Sequence, residues 1–170
     1  MIEPITLAVA KGFIKQHHRH HPRSPCGHIF SLGLVENGLL LGVVMVGRPG
    51  NKYRDQQGYA EVTRLCVSPD APAHACSQLY AAAVRELRAW NHGHESSAWR
   101  WALCTYTLAT ESGASLRGAG WVRVELPKDS SARRGRRAPG PHKAKGAMEP
   151  CPLGEKHFWV KYLITECRVP

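Results

Sequence analysis

The chain has 170 residues, 23 Lys and Arg against 13 Asp and Glu, a formal net charge of +10 and a pI of about 9.7. That length suits a single domain with a sound core. No apolar run reaches the roughly 18–20 residues of a membrane span and no signal-peptide pattern opens the sequence, so no membrane partner is expected, while the charge favours a polyanion (DNA, RNA or a phosphorylated cofactor) over a basic but otherwise ordinary soluble protein.

Residues 6–17 place Leu7, Ala10, Phe13 and Ile14 on one helical face, with Thr6 as N-cap and Pro22 as the stop beyond. In "HIFSLGLVENGLLLGVVMVG" (28–47) two apolar runs flank Asn37-Gly38, which predicts a hairpin. The second run, Leu39 to Val46, is apolar on both faces and predicts a central strand. Residues 48–58 read as a loop, and "YAEVTRLCV" (59–67) as a strand. From Ala75 to Trp90 apolar residues recur at helical spacing, the clearest helix in the chain. A strand at 99–108, a short helix in "ESGASLRGAG", a strand at "WVRVEL", a basic loop at 127–155 and a last strand at 156–164 complete the order. This is an α/β (α+β) pattern, a central mixed sheet flanked by helices.

Six cysteines, Cys26, Cys66, Cys76, Cys104, Cys151 and Cys167, are scattered without a C-x-x-C pair. They predict free thiols in a reducing, cytoplasmic compartment. Cys66 and Cys104 stand in apolar runs, where a thiol acts as a small hydrophobe.

Chemistry concentrates at "EVTRLCVSPDAPAHACSQLYAAAVREL", where a strand ends and a long helix begins. Free N–H groups at a helix start favour a pyrophosphate, and the small residues Ala73, Ala75 and Ser77 would let one approach the backbone. Arg64 stands between Thr63 and Leu65 inside the strand. A buried arginine needs an anionic partner: either Glu61, Glu86 or Glu111, or a bound phosphate.

"QHHRHHPRSPCGH" (16–28) holds five of the ten histidines. His17 and His21 have a zinc-like i, i+4 spacing, but a third ligand would have to come from Cys26 or His28, and no metal is assigned. A solvated or phosphate-facing cluster with Arg19 and Arg23 fits better. In "SARRGRRAPGPHKAK", Arg133, Arg134, Arg136, Arg137, Lys143 and Lys145 form either a solvated run or a contact to a phosphate backbone.

The order of elements and the strand–loop–helix junction resemble the GNAT acyltransferases. Closer still, "EVTRLCVSPDAPAHACSQLY", "CTYTLATESGASLRGAGW" and "GEKHFWVKYL" resemble the phage Mu Mom-like DNA-modification proteins and related prophage proteins. The resemblance implies a GNAT-like domain over residues 1–170, an acetyl-CoA or other acyl-CoA-like donor, and modification of an adenine amine in DNA against restriction. Leu65, Cys66 and Val67 would give backbone hydrogen bonds to the donor, and one N–H would stabilise an oxyanion. Ala73, His74, Ala75, Cys76 and Ser77 would line the pyrophosphate loop. Glu61 would be a base, Tyr106 an acid or stacking surface, and Ser115 would lie near the leaving thiolate.

The histidine stretch would wall the acceptor cleft, with His18 or His20 as an acid/base group. The basic loop, with Lys156 and His157, would hold DNA. One departure stands out: "APAHACS" lacks the Arg or Gln and the glycines of the usual GNAT loop. Two rivals remain, an N-acetyltransferase of a protein or small amine and a catalytically silent nucleic-acid-binding module. The sequence leaves the oligomeric state open, a dimer included.

Overall fold

A computed structural model describes residues 1–17, 27–95, 98–126 and 155–163. The hairpin forms as the sequence predicts. Strands β2 (His28–Glu36) and β3 (Leu39–Gly47) are joined by Asn37 and Gly38, whose φ values of 50° and 77° are both left-handed, as a two-residue turn between twisted strands requires. β3 lies between β2 and β4 (Tyr59–Val67), and Val43, Val44, Met45 and Val46 are at most 1% exposed. Burial on both faces is why the run carries no alternation.

The remaining strands are β1 (Ile2–Pro4), β5 (Ala102–Leu108), β6 (Val122–Val124) and β7 (Lys156–Tyr162). All seven form one sheet in the order β1-β2-β3-β4-β5-β7-β6. Every neighbouring pair is antiparallel except β4 and β5, which are parallel. β1 escaped the sequence reading because three residues are too few to show a period.

Helix α1 (Leu7–His17) is capped by Thr6, whose Oγ1 accepts the Val9 N–H at 3.3 Å. Its Ala10, Phe13 and Ile14 pack on Val43, Met45 and Cys66. Helix α3 (Ala75–His92) lays its stripe, including Leu79, Ala83 and Leu87, on the opposite face against Leu32, Val44, Val62 and Leu103. Helix α4 (Ala114–Gly118) packs beside α3. The span read as a loop contains a helix, α2 (Lys52–Gln56), started by Asn51, whose Oδ1 accepts the Tyr53 N–H at 2.9 Å. It buries no residue, so it leaves no apolar stripe to read.

A bulge decides which side chains of β4 share a face. Met45 pairs with Arg64 but Val46 pairs with Val62, so Thr63 is the extra residue. Before it, Ala60 and Val62 face α3; after it, Leu65 and Val67 do. Tyr59, Glu61, Arg64 and Cys66 consequently share the α1 side.

Candidate functional site: a split between two parallel strands

β4 and β5 pair at only three positions: Tyr59 with Ala102, Ala60 with Leu103, and Glu61 with Cys104. Beyond these, β4 follows β3 to Val67 and β5 follows β7 to Leu108, and the two part. Thr105 marks the fork: its buried hydroxyl donates to the Val62 carbonyl at 3.0 Å, a side chain standing in for the next rung of the ladder.

Past the fork, the backbone of β4 is used on one edge and turned outward on the other. The Ser68 N–H donates to the Leu41 carbonyl at 2.8 Å, which fixes the phase of the β3–β4 ladder. Cys66 and Arg64 share that phase, so Leu65 and Val67 direct their N–H and C=O groups into the opening. Of the three residues expected to meet a donor, Leu65 and Val67 are the two whose backbone turns this way. The Cys66 backbone faces β3, and its thiol, 7% exposed, packs against α1.

At the end of β4 the chain turns through His74, at φ 70°, into α3, without a side-chain cap. An uncapped helix start leaves N–H groups and a partial positive charge for an anion. Ala75 does not belong to such a cradle. Its side chain is 2% exposed in the core and its N–H donates to the Pro72 carbonyl at 3.1 Å. Ala73 and His74 are exposed, and Cys76 and Ser77 half-buried. The Ser77 Oγ would lie 3.3 Å from a Cβ on Gly118, so α4 abuts this turn, and Ser115 stands half-buried on the same short helix. Ser68, which the sequence reading passed over, is buried at this corner, and its Oγ has no hydrogen-bond partner among the described residues.

The other face of the fork carries the titratable groups. Glu61, half-buried, accepts the Gly50 N–H at 3.0 Å through Oε2. Tyr106 accepts a hydrogen bond from Arg54 Nε at 3.1 Å, and its ring lies 5.0 Å from that of Phe158. Burial pushes the Tyr106 hydroxyl up to about 12; Arg54 opposes this, and the nearby Glu61 adds to it. The Arg54 guanidinium lies 3.7 Å over the Phe158 ring and 5.7 Å from Tyr59. Arg54 is the residue the sequence reading missed. The available signal was Asn51, a helix-capping residue just ahead of it.

The fold brings Glu61 and Tyr106 to one face of the fork, and sets Ser115 on the other, beside α3. Arg64 is half-buried rather than enclosed, on the α1 side, and its Nη1 donates to the Thr63 carbonyl. Lys156 and His157 pair with Leu108 and Thr107 at the end of the sheet where the split opens. His157 Nε2 lies 3.4 Å from Arg123 Nη1. His18, Arg19, His20, His21, Pro22, Arg23, Cys26 and the basic loop with Arg133, Arg134, Arg136, Arg137, Lys143 and Lys145 lie outside the described residues.

A sheet of this strand order, split between parallel β4 and β5 with a long helix leaving the end of β4, is a GNAT acyltransferase fold. The ribosomal-protein-S18-alanine N-acetyltransferase of Escherichia coli superposes with a TM-score of 0.62 at 11% identity, over 100% of this chain and 97% of the other. Salmonella typhimurium yncA, solved with its cofactor acetyl-CoA, gives 0.63 at 13% identity, covering 100% and 96%. A Bacillus subtilis acetyltransferase in complex with CoA gives 0.58 at 12%, covering 96% and 98%. At such identities the likeness is one of fold. The model of the Mom protein family matches residues 1–96, from β1 through α3, and the chain belongs to that family. No curated protein sequence matches it.

Proposed function

We propose that this protein is a transferase that moves a group from an acyl-CoA-like donor to a base amine of DNA. The observation that carries the reading is the fork. Leu65 and Val67 turn backbone groups that no strand among the described residues pairs into an opening that ends at a helix start without a side-chain cap, in a member of the Mom family. The similar structures solved with CoA and acetyl-CoA support a donor of that kind.

The residues fit the pantetheine arm of such a donor better than its pyrophosphate. The strand edge at Leu65 and Val67 suits an amide-bearing arm. The loop, without arginine or glycine, offers fewer N–H groups to phosphate, with Ala73, His74, Cys76 and Ser77 the residues nearest to it. A bound donor would supply an acyl carbon activated by a thioester. The N–H of Leu65 or Val67 would hold the negative charge that develops on the acyl oxygen. Glu61 would take a proton from the attacking amine, directly or through a water, and Tyr106 would give one to the departing sulfur; Ser115, on the other face of the fork, would be the alternative group for the thiolate. Arg64 would pair with a phosphate of donor or DNA.

In this reading the chain acts as one domain, in the cytoplasm. The 127–155 loop, with Lys156, His157, Arg19 and Arg23, would track the DNA backbone, and His18 or His20 would border the base. Mass spectrometry of nucleosides from cells expressing the protein tests this. A new adenine nucleoside, strongly reduced with Tyr106→Phe, is expected. Unmodified DNA with acetyl-CoA turnover on amines would favour an N-acetyltransferase instead. Salt-sensitive DNA binding with neither activity would leave a binding module.

A further inference from the structure

Arg54 is held by more than its charge. It comes from a five-residue helix that buries nothing of its own. Its guanidinium covers the face of Phe158, a residue 2% exposed in a cluster with Tyr59, Ala102, Cys104 and Val160. From that seat its Nε reaches Tyr106, 52 residues away in sequence.

A phenol oxygen has two in-plane directions for hydrogen bonds and one proton. An N–H donor on one side leaves the proton to the other. We infer that Arg54 is the positioning residue for Tyr106: by donating to the phenol oxygen from the Phe158 face, it fixes the Tyr106 O–H as a donor beside the β4–β5 fork.

Arginine suits the position. A guanidinium is planar, stays charged, and can cover a ring while directing an N–H past its edge, which the point charge of a lysine cannot. α2 buries no residue of its own, and this contact is one of those that tie it to the sheet. The salt bridges of Asp55 to Arg48 and to Arg100, the latter at 3.0 Å, hold the helix that carries Arg54. The inference rests on the reading of Tyr106 as a proton donor in transfer, and two kinds of measurement separate the two.

The first needs no activity. In protein labelled with 13Cζ-tyrosine, the Tyr106 signal is the one lost in Tyr106→Phe. Arg54→Gln should move that signal and carry its ionisation to higher pH, because the nearby cation and its hydrogen bond are gone. The other tyrosines should hold still.

The second is turnover on DNA. Arg54→Gln and Tyr106→Phe should each lower kcat by about 10²-fold, with KM for the donor nearly unchanged. The double variant should be no worse than either. Arg54→Lys, which keeps charge but not the flat face, should not rescue.

A Tyr106 signal indifferent to Arg54→Gln, losses that multiply in the double variant, or full rescue by lysine would each overturn the inference. A moved signal in a protein that transfers nothing would uphold the pair and remove the transferase reading. Transfer with an unmoved signal would do the reverse.

Discussion

The two edges of β4 differ sharply. Toward β3 the strand is paired from Glu61 to Val67, with one bulge. Toward β5 it is paired for three residues and then open. The closed edge is backed on both faces by helices, α1 over Val43, Met45 and Cys66, and α3 over Val44, Leu65 and Val67. The open edge is bordered by Glu61, Tyr106 and Arg54. One strand therefore serves as both beam and ledge: the rigidity of the first edge lets the second expose N–H and C=O groups without fraying.

The largest break comes from beneath the closed edge. Leu79 on α3 is fully buried among Val44, Val62 and Leu103. Leu79→Ala should cost about 2–5 kcal/mol by denaturant unfolding, through lost transfer energy and the cavity left behind.

A proline scan tests the edges against each other. Cys66→Pro removes an N–H that faces β3 and orphans the Val43 carbonyl opposite, a cost of about 1–3 kcal/mol before any clash. Val67→Pro removes an N–H that faces the opening. It should melt closer to wild type while weakening CoA binding measured by calorimetry. Equal melting losses from the two variants would show that the open edge is bonded too.

Arg64 lies on the closed edge's α1 side yet is half-exposed. Arg64→Met should leave melting near wild type while DNA modification falls about tenfold or more, the loss of one charge-assisted contact. A protein melting far earlier would give Arg64 a structural role instead.

The smallest effect is in acid, and it should differ between the regions. His28, on the closed side at the start of β2, has its pKa lowered by burial and then by Lys11. A lowered folded pKa means the unfolded chain takes the proton more readily. Stability from this group is present above the ordinary histidine value of about 6.5 and fades as pH falls below it. Asp55, under the open side, is lowered first by its hydrogen bond from Arg48, then further by Arg100, against burial. Its contribution holds above about pH 4 and is lost as pH falls through the folded value. Melting curves should lose the first slope in His28→Gln and the second in Asp55→Asn. A single slope removed by neither would assign the acid response to other groups.

Much of the fold was legible because it is written in local period and turn chemistry. Asn37-Gly38 can take left-handed φ, so the hairpin could be placed to the residue. The α3 stripe needed only its own spacing, and an uninterrupted apolar run sufficed to make β3 central. Leu65 and Val67 were named as donor contacts from a resemblance, and only the ladder's phase says that their backbone faces away from β3. Cys66 was named with its strand neighbours and Ala75 for its small size, while alternation turns the one toward β3 and helix geometry sinks the other in the core.

What the sequence could not decide is what depends on partners far along the chain. The extra residue at Thr63 exists only relative to β3, and it alone puts Glu61 and Arg64 on one face. The fork exists only because β3 and β7 hold β4 and β5 apart once Cys104 is passed. Nothing in "NKYRDQ" announces that Arg54 will reach a tyrosine 52 residues on, because that hydrogen bond is set by where β5 and β7 bring Tyr106 and Phe158, and tertiary pairing has no local period to read.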